Sequence, residues 1–161
     1  MTTAQYNQCV DDYSDGVYRF ILKNLRDEEQ ARDIIQDSFE KMWMKVEEIT
    51  YEKARSYLFT TAYHTMIDSI RRNRNQQPVE DADLNRHSYR DDYTGLKEVL
   101  EEAVARLPEV QRSVIMLRDY EGYSYAEIGE ITGLNESQVK VYIYRARVTL
   151  KNYIGSMDAV I

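Results

Sequence analysis

The stretch Asp119–Lys151, DYEGYSYAEIGEITGLNESQVKVYIYRARVTLK, decides the fold. Ser124 stands three residues before Glu127, and Asn135 three before Gln138. Each pair is a capping box, in which the first side chain takes a backbone amide of the opening turn and the Glu or Gln reaches back to the cap. Two helices are therefore expected, one opening near Tyr125 and one near Glu136, with Gly133 closing the first. Two helices joined by so short a Gly-containing turn make a helix-turn-helix.

At about 100° per residue, Val139, Ile143, Ala146 and Leu150 share one stripe of the second helix, which must be its buried side. The opposite side carries Ser137, Val141, Tyr144, Arg145 and Val148, flanked by Gln138, Lys140 and Lys151. Four basic residues against one acidic between Glu136 and Ile154 make this side basic. Such a helix suits a DNA major groove, with N-terminal residues at base edges and Lys and Arg on phosphates. We expect Ser137, Gln138 and Arg145 to read bases and Lys140, Tyr144 and Lys151 to hold the backbone. A helical hairpin with a merely solvated basic face is the plainer reading.

Upstream, Leu96, Val99, Leu100, Val104 and Leu107 recur at helical spacing. Pro108 follows at the expected first position of another helix, whose core continues through Val110, Val114, Ile115 and Leu117. Before these, residues 75–94 lose all periodicity and hold two basic against five acidic residues, which reads as an acidic flexible linker. The expected organisation is two small helical domains, residues 1–74 and 95–161, on either side of it. No strand-like alternation is visible, so the fold class is all-α.

In the first domain, Tyr6, Cys9, Val10, Tyr13, Val17, Phe20, Ile21 and Leu25 predict a helix. Asp27 and Gln30 cap a second, Glu28 to about Val46, with Ile34, Ile35, Phe39, Met42, Trp43 and Val46 as its apolar residues. Its outer side holds Asp33, Gln36, Asp37 and Glu40, which by spacing alone is a solvated face. A third helix is expected from about Ala54 to Arg74, with Tyr57 or Leu58 turned inward. Tyr51, Tyr57, Phe59 and Tyr63 cluster with Arg55, His64, Arg71, Arg72 and Arg74. Rings interleaved with cations suit single-stranded nucleic acid, whose bases stack and whose phosphates need charge, although any one of these rings could equally be core.

The chain carries 28 acidic and 21 basic residues, a net charge of −7. A protein gripping DNA unaided usually relies on a broad cationic surface. DNA contacts are therefore confined to small patches, or a partner supplies much of the binding. The lone Cys9 allows no internal disulfide and lacks neighbours at ligand spacing. His64 with Asp68, and His87 among acids, lack the further ligands a metal needs. No cofactor is expected, and no nucleophile or phosphate-binding loop suggests an enzyme. No apolar run approaches membrane-spanning length, which predicts a cytoplasmic protein without direct membrane insertion.

Three further stretches of the second domain, Leu107-Pro108-Glu109-Val110-Gln111-Arg112, Glu121-Gly122-Tyr123-Ser124-Tyr125-Ala126-Glu127-Ile128 and Val139 through Arg147, look like successive motifs. With Asp33-Ile34-Ile35-Gln36-Asp37-Ser38-Phe39 and Tyr57-Leu58-Phe59-Thr60-Thr61-Ala62 they make the chain resemble the extracytoplasmic-function sigma factors of bacteria. The resemblance implies a first domain that binds the clamp of core RNA polymerase through Asp33, Gln36, Asp37 and Glu40. It also implies capture of the melted −10 strand by that domain, with Tyr51, Tyr57, Tyr63, His64, Arg71 and Arg72 as the site. The second domain would read the −35 duplex of promoter DNA, and an anti-sigma factor would sequester the whole. Three positions depart from the pattern: His64 stands where Asn is common, Val141 and Tyr142 where Ser and Arg are, and Gly129 where Ala is. A stand-alone dimeric regulator and a protein-only helical adaptor remain open alternatives.

Overall fold

The structure, a computed structural model, describes residues 1–76 and 95–158. The linker reading therefore lies, from residue 77 onward, outside the described residues. Helix α1, Thr3–Leu25, begins earlier than its apolar stripe, because Thr2 and Gln5 form a capping box that the stripe does not reveal. It stops at Arg26, which turns the chain with a left-handed φ of 58°. Asp27 then accepts the amides of Glu29 and Gln30 and opens α2, Glu28–Met44. A short 3-10 turn, Tyr51–Lys53, feeds α3, Ala54–Gln76.

In the second half, α4 is Leu96–Ala105 and α5 is Glu109–Ile115, which runs on as a π-helical turn, Met116–Tyr120. Pro108 is the cap of α5 rather than its first residue, a shift of one position. Helix α6 is Tyr125–Thr132 and α7 is Glu136–Asp158. All regular elements among the described residues are helical.

The core of α1–α3 is built from Cys9, Val17, Phe20, Ile21, Ile34, Phe39, Met42, Leu58, Phe59 and Met66. Leu58, not Tyr57, is the inward residue of its pair. Around α7, Val104, Leu107, Val114, Leu117, Ile128, Ile131, Val139, Ile143 and Ala146 are buried. Some expected core residues, such as Leu100 and Leu150, are only half-buried, while Leu96 is exposed at the first turn of α4 and Trp43 is 48% exposed. Trp43 stands at the C-terminal end of α2, where the Tyr6 ring packs edge-on against it at 5.0 Å.

Helix α3 packs on α6 and α1 touches α5, so both sets of buried residues form one continuous cluster. The polar part of this seam centres on Glu121, whose side chain is only 5% exposed and pairs with Arg19 at 3.1 Å and Arg55 at 3.5 Å. Arg55 also donates to the Glu121 carbonyl at 2.8 Å and lies over the Tyr123 ring. A carboxylate so far from water needs both guanidiniums. Gly16 faces it, where a Cβ would stand 3.5 Å from Oε1. Nearby, buried Asn24 accepts hydrogen bonds from Arg112 and Ser113 through Oδ1.

Candidate nucleic-acid interface and polymerase face

The helix-turn-helix forms because each local rule is met. Ser124 Oγ accepts the Glu127 amide at 3.1 Å while Glu127 accepts the Ser124 amide at 2.9 Å. These bonds hold the Glu127 carboxyl below its ordinary 4.5. Gly133 closes α6 at φ 81°, a left-handed conformation that favours glycine. Asn135 and Gln138 repeat the reciprocal box at the start of α7, at 2.8 and 3.0 Å. Gly129 is what lets the turn fold back so tightly, because a Cβ there would lie 2.8 Å from the Leu134 carbonyl oxygen.

This packing buries Val139, Ile143 and Ala146 and leaves Ser137, Gln138, Lys140, Val141, Tyr144, Arg145 and Lys151 exposed along one outward side. Asn135, Ser137, Gln138, Val141, Tyr142 and Arg145 line a shallow concavity of about 330 Å³ at its N-terminal end. Gln138 keeps its amide NH₂ and one lone pair of Oε1 to address a ligand, since Oε1 also accepts the Asn135 amide. Lys140 sits 3.7 Å from Glu136, a surface pair that water screens. Arg147, nearer the buried edge, is tied to Asp119 at 2.9 Å.

The candidate single-strand residues are divided by the structure. His64, Arg71 and Arg72 are exposed and Tyr51 and Tyr57 half-buried, along α3 and the turn before it. Tyr63 is 6% exposed and offers no ring face to a base in this arrangement. Burial, and then the carboxylate of Glu109 in the second half, push its phenol above the usual 10. Next to this row, Tyr123, just before α6, packs on Phe59, its ring meeting it edge-on at 5.5 Å. Desolvation pushes the Tyr123 phenol up to about 12 against the opposing pull of Arg55.

On α2, Asp33, Gln36 and Glu40 are exposed and Asp37 half-buried beside Lys41 at 3.0 Å. Met44, 83% exposed, adjoins this acidic side together with Trp43 and was not legible as a surface residue. Nothing in helical spacing marks it, since an apolar residue at a helix end is read as core. Among the described residues no group of three or more His, Cys, Asp and Glu is placed to hold a metal, and no helix is long and apolar enough to cross a membrane.

Two family matches divide along the same lines: Sigma-70 region 2 over residues 9–76 and Sigma-70 region 4 over residues 97–150. The chain is 30% identical to the RNA polymerase sigma factor SigV of Bacillus subtilis, across 98% of this chain and 95% of that protein. It is 27% identical to the ECF RNA polymerase sigma factor SigM of the same organism, over 86% and 88%. The sigma factor RpoE of Bartonella quintana, solved with the anti-sigma factor NepR, shares the fold with a TM-score of 0.74, at 22% identity over 93% and 96% of the chains. The chain belongs to the extracytoplasmic-function (ECF) RNA polymerase sigma factors. It is a factor of transcription initiation, in a family of non-enzymatic transcription factors.

Proposed function

We propose that α7 reads the −35 duplex, that the loop 47–53 and the exposed row of α3 hold the melted −10 strand, and that the acidic side of α2 docks on core RNA polymerase. The observation that carries this is the outward side of α7, where polar and basic residues converge beside a tight, doubly capped turn. Asp33, Gln36, Asp37 and Glu40, joined by Met44 and Trp43, offer the Lys and Arg side chains of a polymerase carboxylates at the centre and an apolar anchor at one end. The protein acts in the cytoplasm, where the polymerase is.

The two promoter elements lie about 25 base pairs apart, roughly 85 Å along B-form DNA at 3.4 Å per pair. A chain whose α3 packs on α6 does not span that distance, so the seam at Glu121 opens on the polymerase. Core enzyme holds the halves apart at the right spacing, and two weak contacts then act together at high effective concentration. A protein that clamps the halves together is the natural inhibitor. The RpoE complex with NepR makes an anti-sigma factor the expected partner here.

The test is run-off transcription from a genomic library with purified core polymerase, paired with gel shifts with and without core at physiological salt. Initiation at discrete promoters, with tight DNA binding only when core is present, is expected. Tight, specific binding by the isolated protein as a dimer on a palindrome would overturn this reading in favour of a stand-alone regulator. A pull-down from native cells that recovers polymerase but no stoichiometric inhibitor would remove the anti-sigma partner.

A further inference from the structure

We infer that Val141 is a specificity-determining residue that reads the C5-methyl group of a thymine in the −35 duplex; this rests on the proposal that α7 is the duplex-reading helix. Val141 is the sixth residue of α7 and lies about 200° around the helix from buried Val139, at the centre of the outward side. It is 44% exposed. One turn before it stand Ser137 and Gln138 and one turn after it Arg145, all exposed and all able to hydrogen-bond.

Val141 is thus the exposed aliphatic residue among the mostly polar lining of the concavity at the N-terminal end of the helix. The other apolar residues of these turns, Val139 and Ile143, are buried, and Tyr142 is half-buried. Tyr144 and Val148 are exposed, but nearer the C-terminal part of the helix. The centre of the outward side is what a helix presses deepest into a major groove.

The groove offers a branched aliphatic side chain one matching group. Each base pair displays hydrogen-bond donors and acceptors there, and only thymine adds an apolar methyl. Against any other edge Val141 would cover a donor or acceptor and return nothing for its lost water. Two methyls of Val141 closing on the thymine methyl remove apolar surface from water on both sides. The discrimination expected is about fourfold, the worth of one buried methyl.

The experiment uses the holoenzyme, reconstituted with core polymerase. Promoter fragments are first selected from a duplex library randomised over the −35 element, and each thymine of the winning element, on either strand, is then replaced singly by deoxyuridine. That exchange deletes the methyl and keeps all hydrogen-bonding edges. At one thymine, or two adjacent ones, binding should fall about three- to fivefold. Val141→Ala, which truncates a solvent-exposed side chain and so leaves the fold intact, should remove that sensitivity, whereas Tyr144→Ala should keep it. Val141→Ile should restore it. If a selected −35 element is required yet no deoxyuridine weakens binding, or the loss persists in Val141→Ala, methyl reading by Val141 is wrong while the role of α7 stands. If selection returns no −35 preference at all, the reading of α7 fails and this inference with it.

Discussion

Gly129 illustrates how one residue can oppose its own helix. Glycine in a helix interior costs up to about 1 kcal/mol relative to alanine, so Gly129→Ala ought to stabilise α6 on propensity alone. The added Cβ, however, would stand 2.8 Å from the Leu134 carbonyl, a backbone atom that moves only if the turn opens. Overpacking of this kind costs about 1–3 kcal/mol. The clash outweighs the propensity, and Gly129→Ala should lower the melting temperature by a few degrees in calorimetry. A rise in melting temperature would show that the turn relaxes freely.

At the scale of elements, α6 is held by its caps, and α2 presents its carboxylates outward. Ser124→Ala deletes one of the two reciprocal bonds and should cost about 1 kcal/mol, read by denaturant titration with unchanged slope. The pH dependence follows from the same box. Glu127 has its folded value depressed, so its contribution is complete above its ordinary 4.5 and is lost as pH falls through the lower folded value. Protection factors of the α6 amides, taken relative to the intrinsic exchange rate at each pH, should fall below about pH 4.5 in the native protein and lose that step in Glu127→Gln. For α2, Asp33→Lys with Asp37→Lys should weaken binding to core polymerase by tenfold or more at low salt, with helicity retained. Both residues point to water or to Lys41, so the fold has little to lose. Unchanged affinity in a surface-immobilised polymerase assay would move the docking site off α2.

For the whole molecule the decisive feature is the seam in which Glu121 bridges Arg19 and Arg55. Glu121→Arg places a third cation among these guanidiniums and should drive α3 from α6. Small-angle scattering should then show a radius of gyration several ångströms above the roughly 15 Å of a compact chain this long. High salt should narrow the gap between variant and native protein, because it screens the repulsion. Each half keeps its own core, and Glu121 is outside the proposed polymerase and DNA contacts, so run-off transcription should survive. An unchanged radius would mean that the apolar contact of Phe59 with Tyr123 holds the seam without help from charge.

The sequence by itself determined the helices, the capped starts of α2, α6 and α7, the helix-turn-helix and the buried stripe of α7. These depend on neighbours one turn apart, and local spacing encodes them. Only the tertiary structure decided which rings of α3 are accessible, since whether Tyr63 or Tyr57 faces water depends on what packs over α3. It also decided that Trp43 and Met44 are surface residues, because an apolar residue at a helix end is core or surface according to whether another element arrives there. The Glu121 seam was illegible for the same reason: its cations lie 102 and 66 residues away in the chain, and no local period joins them.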